Sequence, residues 1–248
     1  MSSENLNSYP ISSINKDLAE KGYAYIPNFI QQDVCLKARD EYFSSLANLP
    51  LYAQDKPFDP KELHYKSWRK TAIGSSNGVG EKYSQILQTT YMPFKSDDFK
   101  NLNTCFQSAI LLRNQLTNMD DNFGSIVGFK TGTYWNASRI HHYPCGGGHM
   151  AEHADTHFPS ILSKASIPFV QVAVLLSDRN TDFRNGGGFI IDRNNKKVLF
   201  ENDKSMGAAI IFDGSLKHGV EEIDLDQVLD WSSTKGRIAL FSNLYVNR

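Results

Sequence analysis

The sequence predicts a mainly β protein with flanking helices gathered in its first half. Three observations predict it. Before about residue 122, apolar residues recur at helical spacing over about 31–49 and 98–119. After Gly124 the texture changes to short β-branched or aromatic runs separated by Gly, Asn and Asp turns, the pattern of a sandwich or barrel. The chain of 248 residues, 40% hydrophobic and 21% charged, falls in the range of one sizeable core. One domain over residues 1–248 is expected, with helical support and a possible lid over about 12–122 and a β-barrel core over about 123–248.

Residues 1–11 are polar and expected to fray. Ser12 or Ser13 can cap a short helix that ends at Gly22, where a left-handed residue costs little. Tyr23–Ile26 reads as a short strand. A second helix is expected from about Gln31 to Leu49, because Val34, Ala38, Tyr42 and Leu46 form a stripe. Residues 50–95 hold four prolines and a glycine-rich run, and read as a long irregular segment suited to a lid. A third helix is expected from Asp98 to Met119, with Leu102, Phe106, Ile110 and Arg113 on one side and Asp97 or Asp98 near its positive end. Strand-like runs follow at Ile126–Phe129, Thr133–Trp135, Arg139–Tyr143, Phe169–Leu176, Gly188–Ile191, Lys197–Phe200, Ala208–Phe212 and Arg237–Val246, with Asp192–Lys196 as a hairpin connection.

Composition removes several classes of function. Lys and Arg number 26 against 27 Asp and Glu, with no basic stripe, so nucleic acid is not expected as a partner. Three scattered cysteines, Cys35, Cys105 and Cys145, suit a reducing compartment rather than a disulfide framework or a zinc site. The apolar runs are too short to span a bilayer and the start carries no signal-like segment, so a cytoplasmic protein is expected. Oligomeric state is not readable.

The chemistry concentrates at Gly146-Gly-Gly-His149-Met-Ala-Glu152-His153-Ala-Asp155-Thr-His157. In a strand, residues two apart share a face, so His153 and Asp155 can offer a nitrogen and an oxygen to one point. A distant His218, after the apolar run Ala208–Phe212 and an Asp-Gly turn, can complete a facial triad for Fe(II) with open positions. Arg237, opening a later strand, can anchor an anionic cosubstrate through its planar fork. His157 extends the same face and is the rival ligand; His149, His141 and His142 read as supporting or packing groups.

The ordered set His153-x-Asp155, Gly186-Gly-Gly-Phe189, His218-Gly-Val220 and Gly236-Arg237-Ile-Ala-Leu240 resembles the 2-oxoglutarate/Fe(II)-dependent oxygenases of the prolyl hydroxylase-like and phytanoyl-CoA hydroxylase-like branch. Arg139-Ile-His-His-Tyr143-Pro-Cys-Gly-Gly and Lys21-Gly-Tyr-Ala-Tyr-Ile-Pro-Asn-Phe29 carry the likeness further. The resemblance implies a distorted double-stranded β-helix, a cupin-like jelly-roll barrel supported by N-terminal helices. It implies His153, Asp155 and His218 as catalytic iron ligands, and Arg237 and Tyr143 as cosubstrate contacts. It implies Fe(II), 2-oxoglutarate and O2, with hydroxylation of an unactivated carbon coupled to release of succinate and CO2. The carboxylate of Asp155 favours hydroxylation over the halogenation of relatives that lack it.

Two features depart from the pattern. Glu221–Lys235 forms an insertion before Arg237, and Ala239 stands where the family often has Ser, so Lys217 or Lys235 could contribute to the anchor. The short chain points to a small-molecule substrate, an amino acid or specialised metabolite. A protein or peptide side-chain hydroxylase is the alternative, and a cupin-like metal-binding module using Glu152, His153 and His157 is the reading from another class.

Overall fold

A computed structural model of the chain describes residues 10–46, 68–75, 83–92, 98–125, 130–155, 160 and 162–246. Helix α1 spans Ile11–Glu20 and ends where Gly22 adopts φ +87°. Its N-cap is Pro10, and neither Ser12 nor Ser13 makes the expected cap, because the helix already begins at Ile11. Strand β1 is Tyr23–Ile26, and α2 is Gln32–Leu46. Cys35, Ala38 and Tyr42 are its buried face, with Val34 and Leu46 packed against them.

The part of residues 50–95 that is described is regular, against expectation. Strands β2 (Trp68–Ser75) and β3 (Ser84–Tyr91) pair antiparallel from Trp68↔Tyr91 to Ser75↔Ser84. The prolines and glycines that suggest a lid lie around this hairpin, outside the described residues apart from Gly74. Helix α3 is Lys100–Leu116, with Leu102, Phe106, Ile110 and Arg113 all buried. Asp98 precedes its first turn, near the positive end as expected, and a further carboxylate comes from another helix. The Glu41 carboxylate of α2 accepts the backbone N–H groups of Asn101 and Leu102 at 2.9 Å, which fixes the α2–α3 contact at the positive helix end.

Eight strands follow: β4 (Tyr134–Pro144), β5 (Gly148–His153), β6 (Val170–Leu175), β7 (Gly187–Ile191), β8 (Lys197–Leu199), β9 (Ala209–Asp213), β10 (His218–Ile223) and β11 (Gly236–Val246). Tyr134 and Trp135 of one expected run and the whole of another, Arg139–Tyr143, are parts of the single strand β4; the run at 126–129 lies outside the described residues. The first three residues of the expected insertion, Glu221 to Ile223, continue β10. The β7–β8 hairpin closes as expected: Asn195 has φ +61°, and the Asp192 carboxylate accepts the N–H groups of Asn194 and Lys196.

The strand order is β1-β9-β6-β11-β4-β3-β5-β10-β7-β8, antiparallel throughout. Strand β3 pairs with both β4 and β5, joining a larger sheet to a smaller one. This is the expected jelly-roll topology. Alternation along the larger sheet sorts its two faces. Val172, Val174, Ile211, Ile238 and Leu240 pack under the helices. Ala173, Leu175, Ile210, Phe212 and Ala239 face the barrel interior. Each fully buried aliphatic side chain contributes about 1.5–3 kcal/mol, so the helix layer holds the larger sheet in place while the interior face remains available for a site. No described helix is long and apolar enough to cross a membrane.

Candidate metal centre

His153 ends β5 and His218 begins β10, and the two are directly paired in register. Pairing places their rings side by side, with centroids 4.5 Å apart. Asp155 follows two residues after His153, on the same side. Donor atoms of His153, Asp155 and His218 all lie within 4.8 Å of one another, and His218 Nε2 is 3.8 Å from Asp155 Oδ2.

Each imidazole is oriented by its own backbone. His153 Nδ1 lies 2.9 Å from the Ala151 carbonyl, and His218 Nδ1 lies 2.8 Å from the Leu216 carbonyl. A carbonyl can only accept, so Nδ1 carries the proton in both rings and Nε2 keeps its lone pair for the centre. Burial holds His218 below the usual imidazole range, helped by His153 and opposed by Asp155 and the Leu216 carbonyl. The neutral form is the one a metal needs. The Tyr83 ring stacks on His153 at 4.0 Å. Gln171 donates to Asp155 Oδ2 at 2.8 Å, and Asn243 donates to Gln171 at 3.2 Å. Two imidazoles and one carboxylate on one side of a point fit Fe(II) with positions left for other ligands.

The triad opens into a cavity of about 110 Å³. Arg237 and Tyr143 line it too, as expected, and are almost fully buried. Arg237 is already paired: its Nε donates to Glu201 Oε1, while Glu201 Oε2 accepts the Gly188 N–H at 2.6 Å. The guanidinium carbon lies 5.5 Å from the Tyr143 ring centre. A Cβ at Gly188 would come within 2.5 Å of Arg237 Nη2, so this position of the Gly186-Gly-Gly run makes room for the arginine. Burial drives the Tyr143 phenol well above its ordinary value, so it stays protonated and can donate.

Other candidates go elsewhere. Lys217 reaches Glu152 at 3.0 Å, and Lys235 reaches the Thr181 carbonyl at 3.0 Å; both are exposed and outside the cavity. Glu152 is thereby turned away from the triad. His149 contacts Ser84 and the Gly147 carbonyl, and His142 contacts the Lys235 carbonyl. His141 lines the cavity with Nδ1 3.2 Å from the Tyr143 hydroxyl, and burial holds its pKa well below the usual value. His157 lies outside the described residues. Glu201 and Gln171 were not foreseen. Glu201 has no local signal, since its partner is a strand far along the chain. Gln171 had one, as a polar residue inside the apolar run Phe169–Leu176.

No protein-family model matches this sequence, and no curated protein matches it either. Solved structures do. A prolyl-4-hydroxylase from Pseudomonas putida superposes with TM-score 0.55 at 13% identity, over 94% of this chain and 97% of that one. SnoN, a non-haem α-ketoglutarate-dependent epimerase of nogalamycin biosynthesis, gives 0.57 at 11% identity, over 95% and 82%. A prolyl hydroxylase from Trichoplax adhaerens, bound to a hypoxia-inducible-factor peptide, gives 0.56 at 12% identity, over 96% and 90%. SnoN has also been solved with Fe3+ and α-ketoglutarate. At these identities the likeness establishes the fold, a jelly roll shared with prolyl hydroxylases and 2-oxoglutarate-dependent enzymes. In this chain that fold carries a His-Asp-His triad.

Proposed function

We propose that the chain, working as one domain, is a 2-oxoglutarate-dependent non-haem Fe(II) oxygenase that hydroxylates an unactivated carbon of a small molecule, an amino acid or specialised metabolite. The observation that carries this reading is the convergence of two Nε2-presenting histidines and one carboxylate at the mouth of a cavity that also holds a buried arginine. A cupin-like module without oxygenase activity has no need of that arginine.

His153, Asp155 and His218 would hold Fe(II). Arg237 and the Tyr143 hydroxyl would take the distal carboxylate of 2-oxoglutarate. Gly188, which touches Arg237, pairs with Val220, two residues beyond His218. That offset is roughly 7 Å along a strand, the scale of a five-carbon diacid. Glu201 occupies the Nε side of Arg237 and leaves the Nη edge for the cosubstrate. Bound together, Fe(II), 2-oxoglutarate and O2 supply an oxidant able to break a C–H bond. The chain's own part is to orient the ligands and to exclude water with Phe189, Phe200, Phe212 and Phe241.

The peptide bound by the Trichoplax neighbour supports the second reading, a protein or peptide side-chain hydroxylase. The small cavity favours the first. The test is succinate release. Purified protein with Fe(II), 2-oxoglutarate and O2 should form succinate slowly alone and faster with a matching small molecule. Iron-loaded protein that forms no succinate with any small molecule or peptide would leave only a metal-binding module.

A further inference from the structure

The cavity is lined by a second arginine that the proposed chemistry does not use. Arg139 is on β4, followed on the same strand face by His141 and Tyr143, and all three line the cavity. Across the ladder Arg139 faces Phe241, and its guanidinium carbon lies 5.9 Å from that ring centre. Its one hydrogen bond among the described residues runs from Nη1 to the Tyr245 hydroxyl at 3.2 Å. Its Nε is buried and has no acceptor.

Arg69 Nε is likewise buried without an acceptor among the described residues, but Arg69 does not line the cavity. The remaining inward arginines differ. Arg237 has Glu201, Arg39 has Asp182 at 2.8 Å, and Arg113 has three acceptors in Ser242, Asn114 and Asn136. A guanidinium carries five donors in a fixed fork. Leaving a buried donor unmet is costly, more so on a cation. Arg139 is therefore a preformed receptor for an anion entering the cavity.

Its place along the barrel says which anion. Arg139 shares a rung with Phe241, next to the Asn243–Gln171 pair that holds Asp155. That is the triad's end of the cavity. Arg237 lies four residue pairs further along the β4–β11 ladder, opposite Tyr143. A diacid stretched from the triad to Arg237 leaves Arg139 free. His141, between the two arginines, is held uncharged by burial and offers no competing cation.

We propose that Arg139 binds the carboxylate of the prime substrate, so that the substrate is a small carboxylic acid oxidised at a carbon a few bonds from that group. This rests on the oxygenase reading and narrows its substrate class.

The test is calorimetric binding under anaerobic conditions, with protein already loaded with Fe(II) and 2-oxoglutarate. The probes are the proteinogenic amino acids, their N-acetyl derivatives and the matching carboxamides. At least one acid should bind roughly tenfold or more tighter than its amide, as expected for a charge-assisted pair. Arg139→Gln and Arg139→Met should lose that preference, and Arg139→Lys should recover part of it. Both neutral variants remove an unmet donor, so they should melt no lower than wild type. The 2-oxoglutarate affinity of iron-loaded Arg139→Gln should stay within about twofold of wild type. Acids and amides binding alike, no probe binding, or an unchanged preference in Arg139→Gln would each overturn the proposal. A loss of 2-oxoglutarate affinity in Arg139→Gln would overturn it too, by giving the guanidinium to the cosubstrate. Failure of wild-type protein to bind 2-oxoglutarate at all would instead sink the oxygenase reading, which separates the two failures.

Discussion

The two ends of the cavity are held in different ways. At the triad end, His153 and His218 are each oriented by a carbonyl two residues back in the chain, Ala151 within β5 and Leu216 in the turn before β10, at 2.9 and 2.8 Å. At the inner end, Arg237 is held by Glu201, which is itself fixed by the Gly188 N–H. The first arrangement is local, made within two residues of each histidine by a carbonyl that needs a donor anyway. The second is a buried ion pair between remote parts of the chain, stable only while both partners stay. The difference predicts that the triad end tolerates changes elsewhere, whereas the inner end fails as a unit.

The largest effect separates the ends completely. His153→Ala or His218→Ala should abolish stoichiometric Fe(II) binding, read by metal analysis after desalting, while the fold and the Arg237–Glu201 pair persist. Retained iron would mean that a residue such as His157 completes the site.

Glu201→Ala is the next step down. It strands a buried guanidinium, which costs about 3–5 kcal/mol of stability in pairs of this kind. The melting temperature should fall while iron affinity per folded molecule is retained. An unchanged melting temperature would show that Arg237 does not depend on Glu201.

A control outside the cavity is His142, whose ring packs edge-on to Phe43 of α2 on the helix side. Burial depresses its pKa to about 4, aided by Arg39 and opposed by the Lys235 carbonyl. The unfolded chain takes up this proton near the ordinary value of 6.5, before the folded protein does. Stability from this group is therefore complete above pH 6.5 and lost as pH falls to 4, by about 3 kcal/mol at most. His142→Gln should flatten that part of a denaturation-versus-pH curve. A curve equally steep without His142 would place the acid sensitivity elsewhere.

The smallest effect sharpens the triad end. Gln171→Ala removes the donor on Asp155 and should weaken Fe(II) binding by roughly tenfold, as the loss of an outer-shell partner does. No change in a competitive chelator titration would show that Asp155 needs no such support.

The contrast also explains what could be read from the residues alone. The triad was legible because strand periodicity and the short His-x-Asp spacing encode it locally, and the helix stripes at Ala38 and Leu102 were legible for the same reason. Glu201 was not, because nothing near it marks its partner. The β2–β3 hairpin was hidden by the prolines and glycines around it. The Glu41 carboxylate on the first N–H groups of α3 is not legible locally, because it arrives from another helix.

Under the proposed function, one cavity holds a metal at the His153–Asp155–His218 end and a carboxylate anchor at Arg237. Anaerobic titration of wild type and Arg237→Ala with Fe(II) and then 2-oxoglutarate tests it most directly, through the weak visible metal-to-ligand charge-transfer band. Both proteins should bind iron, and wild type should show the band at saturable 2-oxoglutarate. Arg237→Ala should need about 100-fold more, as loss of a buried charged contact implies. An identical 2-oxoglutarate affinity in the two proteins, or no band in iron-loaded wild type, would contradict the account.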